Sequence, residues 1–171
     1  NDRRAGTDGN DTPDGQAGPD AMSGFKGDDT YIVDNTGDTT IELAGQGIVT
    51  VHIAIKSKAT YVLGAHVEHA TVTSTSAVNV TGNAADNRLA GNNAANALAG
   101  ADGNDILIGG KGSDILDGGA GNDFYSVDST GDRVVEAAGG GYDIVETTAT
   151  KCTLSAHVEE LRYLGKTAFT G

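Results

Sequence analysis

The stretch Gly109-Gly110-Lys111-Gly112-Ser113-Asp114-Ile115-Leu116-Asp117 decides the fold of this chain. It is a nine-residue unit with glycine in the first, second and fourth places, aspartate in the sixth and a large apolar residue in the eighth. The same phase recurs at Gly100 and Gly118, and again near the N-terminus at Gly6, Gly15 and Gly24. A short fixed period indicates a repeat architecture in which each unit stacks on its neighbours.

The sixth-place aspartates and the glycines around them form a regular set of oxygen donors. A hard cation such as calcium takes about six to eight oxygens, commonly carboxylates mixed with backbone carbonyls. Glycine adopts positive φ angles without a steric clash, so the turn can point its carbonyls at one centre. The candidate side-chain ligands are Asp11, Asp20, Asp29, Asp105, Asp114 and Asp123, and the candidate carbonyl ligands are Gly9, Gly18, Gly27, Gly103, Gly109, Gly110, Gly112, Gly118, Gly119 and Gly121.

The last three residues of each unit predict a very short strand whose eighth-place side chain points inward. Successive side chains of a strand face opposite sides, so only the middle residue of the three reaches the interior. These predicted core residues are Pro13, Met22, Tyr31, Leu89, Leu98, Leu107, Leu116 and Tyr125. All are apolar or aromatic, which supports the register independently of the aspartates.

These residues and their spacing resemble the RTX (repeats-in-toxin) calcium-binding family, secreted proteins of Gram-negative bacteria. The resemblance implies an all-β fold, a parallel β-roll or β-solenoid in which two nonapeptides form one coil. It also implies that each calcium ion lies between turns two repeats apart. Carried onto this chain, that spacing pairs Asp11 with Asp29 and Asp105 with Asp123.

We call the series of sixth-place residues along the solenoid the ladder. Its remaining positions lack such an aspartate pair. Asp20 and Asp114 would lie on the opposite edge of the roll without a perfect aspartate partner. Asp114 would face Asn96 on one side, and Asp105 would face Asn87. Asparagine offers a neutral oxygen and no charge, so we expect these turns to bind calcium weakly or to be free of metal.

A larger repeat encloses the nonapeptides. An offset of 94 residues aligns Asp29 with Asp123 and Glu42 with Glu136. Each copy has a nonapeptide block, at 1–32 and 82–126, and then an insert, at 33–81 and 127–171, whose alternating β-branched residues predict strands. One continuous β-solenoid, or two roll segments joined by β-rich inserts, fits this pattern. The pattern is cut in mid-unit at both ends, which predicts a fragment of a longer array.

Two loops in the inserts carry a further pair of carboxylates around a glycine. They are Asp34 to Asp38 and Asp128 to Asp132, with Gly37 or Gly131 before the second aspartate. Such a loop predicts either an additional calcium site formed by Asp34 and Asp38, or by Asp128 and Asp132, or an Asx-type turn between strands. We favour the turn.

Composition predicts that folding depends on the metal. The net charge is −13, and the 171 residues include 26 glycines, three phenylalanines and no tryptophan. This leaves too little apolar core for folding without help, so calcium binding free energy would become folding free energy. Extracellular calcium modules bind with a Kd of roughly 10⁻⁴ to 10⁻³ M, which predicts a chain unfolded in the cytosol and folded outside.

The same acidity argues against nucleic acid and anionic membranes as partners, because both require clusters of Lys or Arg. The sequence has no apolar stretch approaching the roughly 20 residues of a membrane span, so no membrane insertion is expected. It contains neither H-E-x-x-H nor G-x-S-x-G, and we expect no enzymatic activity.

Two classes of function remain after these exclusions. The first is a calcium-binding structural module of a secreted or cell-surface repeat protein of adhesin, surface-layer or matrix type, exported by type I secretion as the resemblance implies. The alternative is an accessory C-terminal calcium module of a secreted protease, lipase or polysaccharide-modifying enzyme, or a carbohydrate-binding module. Candidate partners besides calcium are neighbouring repeats, copies of the chain itself and extracellular polysaccharide.

Overall fold

The structure, a computed structural model, describes residues 2–169. Within that range the chain forms strands and turns without a helix, and the paired strands are parallel throughout. They build a β-solenoid of about 9 turns, which confirms the all-β parallel solenoid predicted from the nonapeptides. Residues 2–169 accordingly contain no helix of the length and apolarity needed to cross a bilayer.

The strands are short and follow one another at nearly even spacing along the chain. In chain order they are β1 (Arg3–Ala5), β2 (Ala21–Ser23), β3 (Thr30–Val33), β4 (Thr39–Thr40), β5 (Thr50–Ile53), β6 (Ala59–Val62), β7 (His69–Val72), β8 (Val78–Thr81), β9 (Arg88–Ala90), β10 (Ala97–Asp102), β11 (Ile106–Ile108), β12 (Ile115–Ala120), β13 (Phe124–Val127), β14 (Arg133–Val135), β15 (Ile144–Thr147) and β16 (Glu160–Tyr163).

The two faces of the solenoid are built from different strands. One face is an eight-stranded sheet in the order β16-β15-β13-β11-β9-β7-β5-β3. The opposite face consists of a five-stranded sheet, β14-β12-β10-β8-β6, and a three-stranded sheet, β1-β2-β4. From β2 to β15, strands of one face alternate along the chain with strands of the other, so each coil in this range contributes one strand to each face.

The inserts are wider coils of the same solenoid. In the nonapeptide blocks, paired positions lie 18 residues apart, as in Leu89 opposite Leu107 and Leu107 opposite Tyr125. In the insert the spacing grows to 20 between Tyr31 and Val51 and to 19 between Val51 and Ala70. The eight-stranded sheet runs through both blocks and both inserts without a break. The continuous solenoid is therefore the one of the two predicted arrangements that the chain adopts.

The core is a narrow stack of side chains between the two faces. Each inward residue packs on its counterpart one coil away, since strands in register place equivalent side chains one above another. The predicted eighth-place residues are all buried, which confirms the register: Pro13, Met22, Tyr31, Leu89, Leu98, Leu107, Leu116 and Tyr125. The inserts continue the stack with valine and isoleucine, among them Val49, Val51, Ile53, Val78, Val80, Val134 and Val145.

Adjacent positions on β11 allow a matched test of this core. Leu107 is fully buried, whereas Ile106 is 39% exposed on the outer face. We expect Leu107→Ala to lower the free energy of unfolding in excess calcium by ~2–5 kcal/mol, because it removes buried methyl groups and leaves a cavity. Ile106→Ala should lower it far less. Urea unfolding followed by circular dichroism measures both, and equal losses would contradict the assigned register.

Candidate metal centres

The five nonapeptide turns that begin at Gly15, Gly24, Gly100, Gly109 and Gly118 share one backbone conformation. The fourth-place residues Gly103, Gly112 and Gly121 have φ angles of 114°, 136° and 136°. The second place is also left-handed, both where glycine occupies it and where it is replaced by Gln16, Phe25 or Ala101, with φ angles of 64°, 73° and 92°. A non-glycine residue in this region stores strain of ~1–3 kcal/mol, so the rest of the coil holds these turns in place.

Each sixth-place aspartate folds back over the first-place glycine of its own repeat. A Cβ at Gly100 would overlap Asp105 Oδ2 and lie 2.6 Å from the carbonyl oxygen of Gly118 in the next coil. A Cβ at Gly109 would lie 2.6 Å from Asp114 Oδ2. The missing side chain of glycine thus leaves room in which a carboxylate oxygen and, at Gly100, a carbonyl oxygen come together.

The aspartates predicted to pair across two repeats are in direct contact. The backbone N–H of Asp105 donates to Asp123 Oδ1 at 2.7 Å, and that of Asp11 donates to Asp29 Oδ1 at 2.8 Å. The N–H of Asn87 donates to Asp105 Oδ1 in the same way at 2.7 Å. Each hydrogen bond uses only one carboxylate oxygen and aligns the aspartates in a column along the solenoid edge.

The second oxygen of these carboxylates is buried and has no hydrogen-bond partner. This holds for Oδ2 of Asp29, Asp105, Asp114 and Asp123, whose residues are at most 2% exposed. The ion pairs among residues 2–169 are exposed and involve none of these four side chains. A buried carboxylate without a partner is strongly unfavourable unless a cation neutralises it.

The donor set fits calcium. It consists of carboxylate and backbone carbonyl oxygens, without a nitrogen or sulfur ligand, and oxygen donors select hard cations. Asp105 and Asp123 supply the charge in the second block, and the carbonyl of Gly118 lies beside Asp105 Oδ2. The six candidate aspartates and the candidate glycines around them therefore remain our assignment of the calcium ligands.

The first block is more open at its N-terminal end. Asp11 is only partly buried, and its Oδ2 accepts hydrogen bonds from Thr7 N at 2.6 Å and from Thr7 Oγ1 at 2.9 Å. Asp29, one coil further on, is 1% exposed. The two members of this predicted pair are thus unequally buried, and the carboxylate of Asp29 is the one more fully removed from water.

On the opposite edge of the solenoid, the expectation that two aspartates lack aspartate partners is wrong. Asp20 and Asp114 do have aspartate partners in phase, because their backbone N–H groups donate to Asp38 Oδ1 and Asp132 Oδ1, each at 3.0 Å. Both partners lie in the insert loops, outside the nonapeptides, but 18 residues further along the chain. The 18-residue spacing could have indicated these partners from the sequence, because it places a loop aspartate in line with the ladder although the loop is not a nonapeptide.

The insert loops form turns: an Asx turn at Asn35, whose Oδ1 accepts the backbone N–H of Gly37 at 2.9 Å, and its serine counterpart at Ser129, whose Oγ accepts that of Gly131 at 3.2 Å. Each loop also folds around the carboxylate of its last aspartate. Asp38 Oδ2 accepts the backbone N–H groups of Asp34 and Asn35, each at 3.1 Å. In the second copy, Asp132 Oδ2 accepts those of Asp128 and Ser129 at 3.2 and 3.0 Å. Asp34 and Asp128 have exposed side chains and contribute backbone N–H groups to these turns. N–H groups therefore surround the carboxylates of Asp38 and Asp132, which closes the ladder on this edge.

In the asparagine-bearing coils, amide groups bind the carbonyls of the neighbouring coil. Asn87, in a sixth place, donates through Nδ2 to the carbonyl of Val67 at 2.9 Å. Asn83, in the second place of the same repeat, donates to the carbonyls of Gly64 and Val67 at 2.7 and 2.8 Å. The oxygen of Asn87 accepts the N–H of Asn83 at 2.8 Å.

The next repeat has the same arrangement. Asn96 Nδ2 donates to the carbonyl of Val78 at 2.7 Å, and Asn92 Nδ2 donates to those of Ser74 and Ser76 at 2.6 and 2.8 Å. Two asparagines, in the second and sixth places, thus satisfy carbonyls with neutral N–H donors. This supports the expectation of metal-free turns, and the second-place asparagine is a signal that sequence reasoning overlooked.

Burial perturbs the acidity of the ladder. It raises the pKa of Asp105 from its ordinary 3.8 to about 7 and that of Asp114 to about 6. Backbone N–H donors oppose these shifts, and the neighbouring carboxylates of Asp123 and Asp132 add to them. Burial also raises the pKa of Asp123. Without a cation, the folded ladder therefore favours protonated carboxyl groups.

Comparison with known proteins agrees with this geometry. The family model for the RTX calcium-binding nonapeptide repeat matches in four copies, at residues 5–39, 81–114, 90–125 and 99–132, which together span just over half of the chain. These ranges include all six candidate aspartates, together with Asp38 and Asp132. No curated protein and no solved structure matches the chain.

The raised pKa values predict opposite effects of pH with and without calcium. A folded-state pKa above the unfolded value stabilises the metal-free fold fully below about pH 4, and this stabilisation is lost as pH rises through about 6 to 7. Calcium affinity should rise over the same interval, because protons leave the ligands. Circular dichroism in calcium-free buffer and calorimetric titration across pH 4–8 measure the two trends. Metal-free stability that increases with pH in this interval would contradict the account.

Replacing the sixth-place asparagine tests the metal-free coils. Asn87→Asp keeps the size of the side chain but removes the donor to Val67, so we expect a loss of ~1–3 kcal/mol in the free energy of unfolding measured in millimolar calcium. Excess calcium should not restore it fully, because Asn83 still occupies the second place. The exposed Asn122→Asp is the matched control, since its Oδ1 accepts the backbone N–H of Tyr142, a hydrogen bond that aspartate retains. Urea unfolding measures both, and full rescue by calcium would argue against a metal-free coil.

Proposed function

Because the chain belongs to the family of RTX calcium-binding nonapeptide repeat proteins, we propose that it is a calcium-folded structural module of a secreted or cell-surface protein of a Gram-negative bacterium. The observation that carries the proposal is the set of four buried aspartates, Asp29, Asp105, Asp114 and Asp123, whose Oδ2 atoms have no hydrogen-bond partner. Where these carboxyl groups are ionised, the module holds its coils together only when a cation offsets their charge.

The ladder aspartates and the first-place glycines would couple calcium binding to folding. When bound, calcium supplies the positive charge that offsets the carboxylates. Asp105 and Asp123 belong to neighbouring coils, joined by one hydrogen bond of 2.7 Å, so a ligand shared between them ties those coils together. The first-place glycines keep the space open and contribute carbonyls such as that of Gly118. Since these donors meet only after the coils stack, binding and folding are coupled.

The charge of the chain supports a role outside the cell. A net charge of −13 opposes compaction when calcium is scarce. Extracellular calcium modules bind with a Kd of roughly 10⁻⁴ to 10⁻³ M, a range that the cytosol does not reach. An unfolded chain inside the cell and a folded one outside suits passage through a secretion channel such as that of type I systems.

The architecture supports a structural role of adhesin, surface-layer or matrix type rather than an enzymatic one. Nearly two copies of a 94-residue unit lie in one solenoid, joined by a continuous eight-stranded sheet. Stacked coils transmit contacts only to their neighbours, so length grows with the number of units. Further 94-residue units beside this stretch in the parent protein would support this role. A protease or lipase motif there would favour the accessory module of a secreted enzyme.

Calcium removal tests the proposed function directly. We expect the far-ultraviolet β signal to be largely lost in EDTA and regained on adding millimolar calcium, but not on adding equal magnesium, because magnesium demands octahedral geometry and gives up its water reluctantly. Asp105→Asn should raise the calcium midpoint at least several-fold, since it removes a buried ligand charge. Asp117→Asn removes an exposed carboxylate on the neighbouring strand and should leave the midpoint nearly unchanged. A full β signal in EDTA would refute calcium-dependent folding.

A further inference from the structure

A second type of acidic site lies where the second nonapeptide block meets its insert. Asp123, Glu136 and Asp143 each offer a carboxylate oxygen within 4.8 Å of the others. Glu136 and Asp143 lie outside the nonapeptide phase and beyond the last residue that the family model matches. We call these three residues the cap cluster.

The fold brings the cap cluster together by continuing the ladder. Asp143 precedes β15, and its Oδ1 accepts the backbone N–H of Asp123 at 2.9 Å, as Asp123 does from Asp105 one coil earlier. Glu136 follows β14, whose Val135 pairs with Asp117, so Glu136 stands opposite the first-place Gly118. Glu136 therefore occupies the place that a first-place glycine occupies in the nonapeptides, so a side-chain carboxylate is present where the other coils offer a glycine carbonyl.

Three oxygens of the cap cluster are buried and lack hydrogen-bond partners. They are Asp123 Oδ2, Glu136 Oε2 and Asp143 Oδ2, on residues that are 2%, 8% and 0% exposed. Glu136 Oε1 is held by the hydroxyl of Tyr125, which also accepts the N–H of Gly118 at 2.8 Å. That contact fixes the glutamate and leaves Oε2 directed into the cluster.

Backbone oxygens complete the surroundings. A Cβ at Gly140 would lie 3.0 Å from Glu136 Oε2, 3.0 Å from the carbonyl oxygen of Gly119 and 3.4 Å from that of Ala137. No ion pair among residues 2–169 involves the cap cluster, and a fourth carboxylate, that of Glu159, lies beside it, since its Oε2 accepts the N–H of Asp143 at 2.8 Å. Three buried carboxylates without a basic partner require a cation.

We propose that the cap cluster is a calcium site of its own, which closes the C-terminal end of the nonapeptide ladder and fastens it to the insert. Three carboxylates with carbonyls nearby, and no nitrogen or sulfur donor among them, suit calcium. Asp123 belongs both to this site and to the ladder, so the proposal rests partly on the proposed function. What it adds to the proposed function is that Glu136 and Asp143 are calcium ligands.

The first copy of the 94-residue unit provides an internal comparison. Glu42 stands opposite Gly24, and Tyr31 donates to Glu42 Oε1, as Tyr125 does to Glu136. Val49, however, takes the place of Asp143, because Tyr31 pairs with Val51 as Tyr125 pairs with Val145. The first copy thus has the same cap with two carboxylates instead of three. Its coil also shows that valine is compatible with this position.

The test counts calcium ions bound to the full chain by equilibrium dialysis against calcium chloride. Asp143→Val, which reproduces the first copy, should lower the number of bound ions by one while the β signal in calcium persists. Asp143→Asn keeps the acceptor for Asp123 N–H and should also lose one ion or weaken it at least tenfold. Glu146→Gln, on the outer face of β15, removes the same charge as a control and should change neither number nor affinity.

The reverse substitution guards against a merely structural effect. Val49→Asp builds the third carboxylate into the first copy and should add one bound ion. Equal ion numbers and affinities for the wild type and both Asp143 variants would overturn the cap site and would instead fit a proton shared between Asp143 and Glu136. No calcium bound by the wild type would defeat the proposed function as well, so the two failures are distinguishable.

Discussion

The fold depends on one electrostatic constraint, which is that carboxylates are buried in register along the solenoid edges without basic partners. One oxygen of each aspartate holds the N–H of the preceding coil, and in Asp29, Asp105, Asp114 and Asp123 the other oxygen has no hydrogen bond. Hydrogen bonding alone leaves such charges uncompensated. The narrow apolar stack inside the solenoid is then stable only with a cation at its edges or with protons on the carboxyl groups.

The chain relieves this constraint in three ways along its length. Nonapeptides with a first-place glycine and a sixth-place aspartate leave an oxygen pocket suited to calcium. Repeats with asparagine in both places, such as that of Asn83 and Asn87, fill the equivalent space with amide donors. The turns ending at Asp38 and Asp132 surround the last carboxylate with backbone N–H groups. The calcium-dependent edges are thereby separated by a middle region held by neutral hydrogen bonds.

Much of this could be predicted from the sequence because the nonapeptide has a strict period. The buried eighth-place residues followed from the spacing, whereas the parallel solenoid and the contact between Asp105 and Asp123 followed from the resemblance to the RTX family that this spacing carries. The inserts have no such period. Whether they joined the solenoid depended on whether strands spaced by 19 or 20 residues could remain in register, which periodicity does not decide.

The contacts that sequence reasoning missed, which are those of Asp38 with Asp20 and of Asp143 and Glu136 with Asp123, lie where the spacing or the residue type changes. Asp38 keeps the 18-residue spacing but belongs to a turn, and Asp143 follows Asp123 at a spacing of 20. Glu136 replaces a glycine carbonyl by a carboxylate, a substitution that is visible only after β12 and β14 are paired. In each case the carboxylate oxygen reaches the solenoid edge because of how the strands pair, and the nonapeptide motif does not predict its position.

The most direct test of the central claim is a crystal structure of the chain grown in calcium, with anomalous scattering used to locate the ions. The account predicts ions about 2.3–2.6 Å from Asp105 Oδ2 and Asp123 Oδ2, and none between the amides of Asn83 and Asn87. Folded coils without an ion at these aspartates, or ions distributed equally over the asparagine coils, would contradict it.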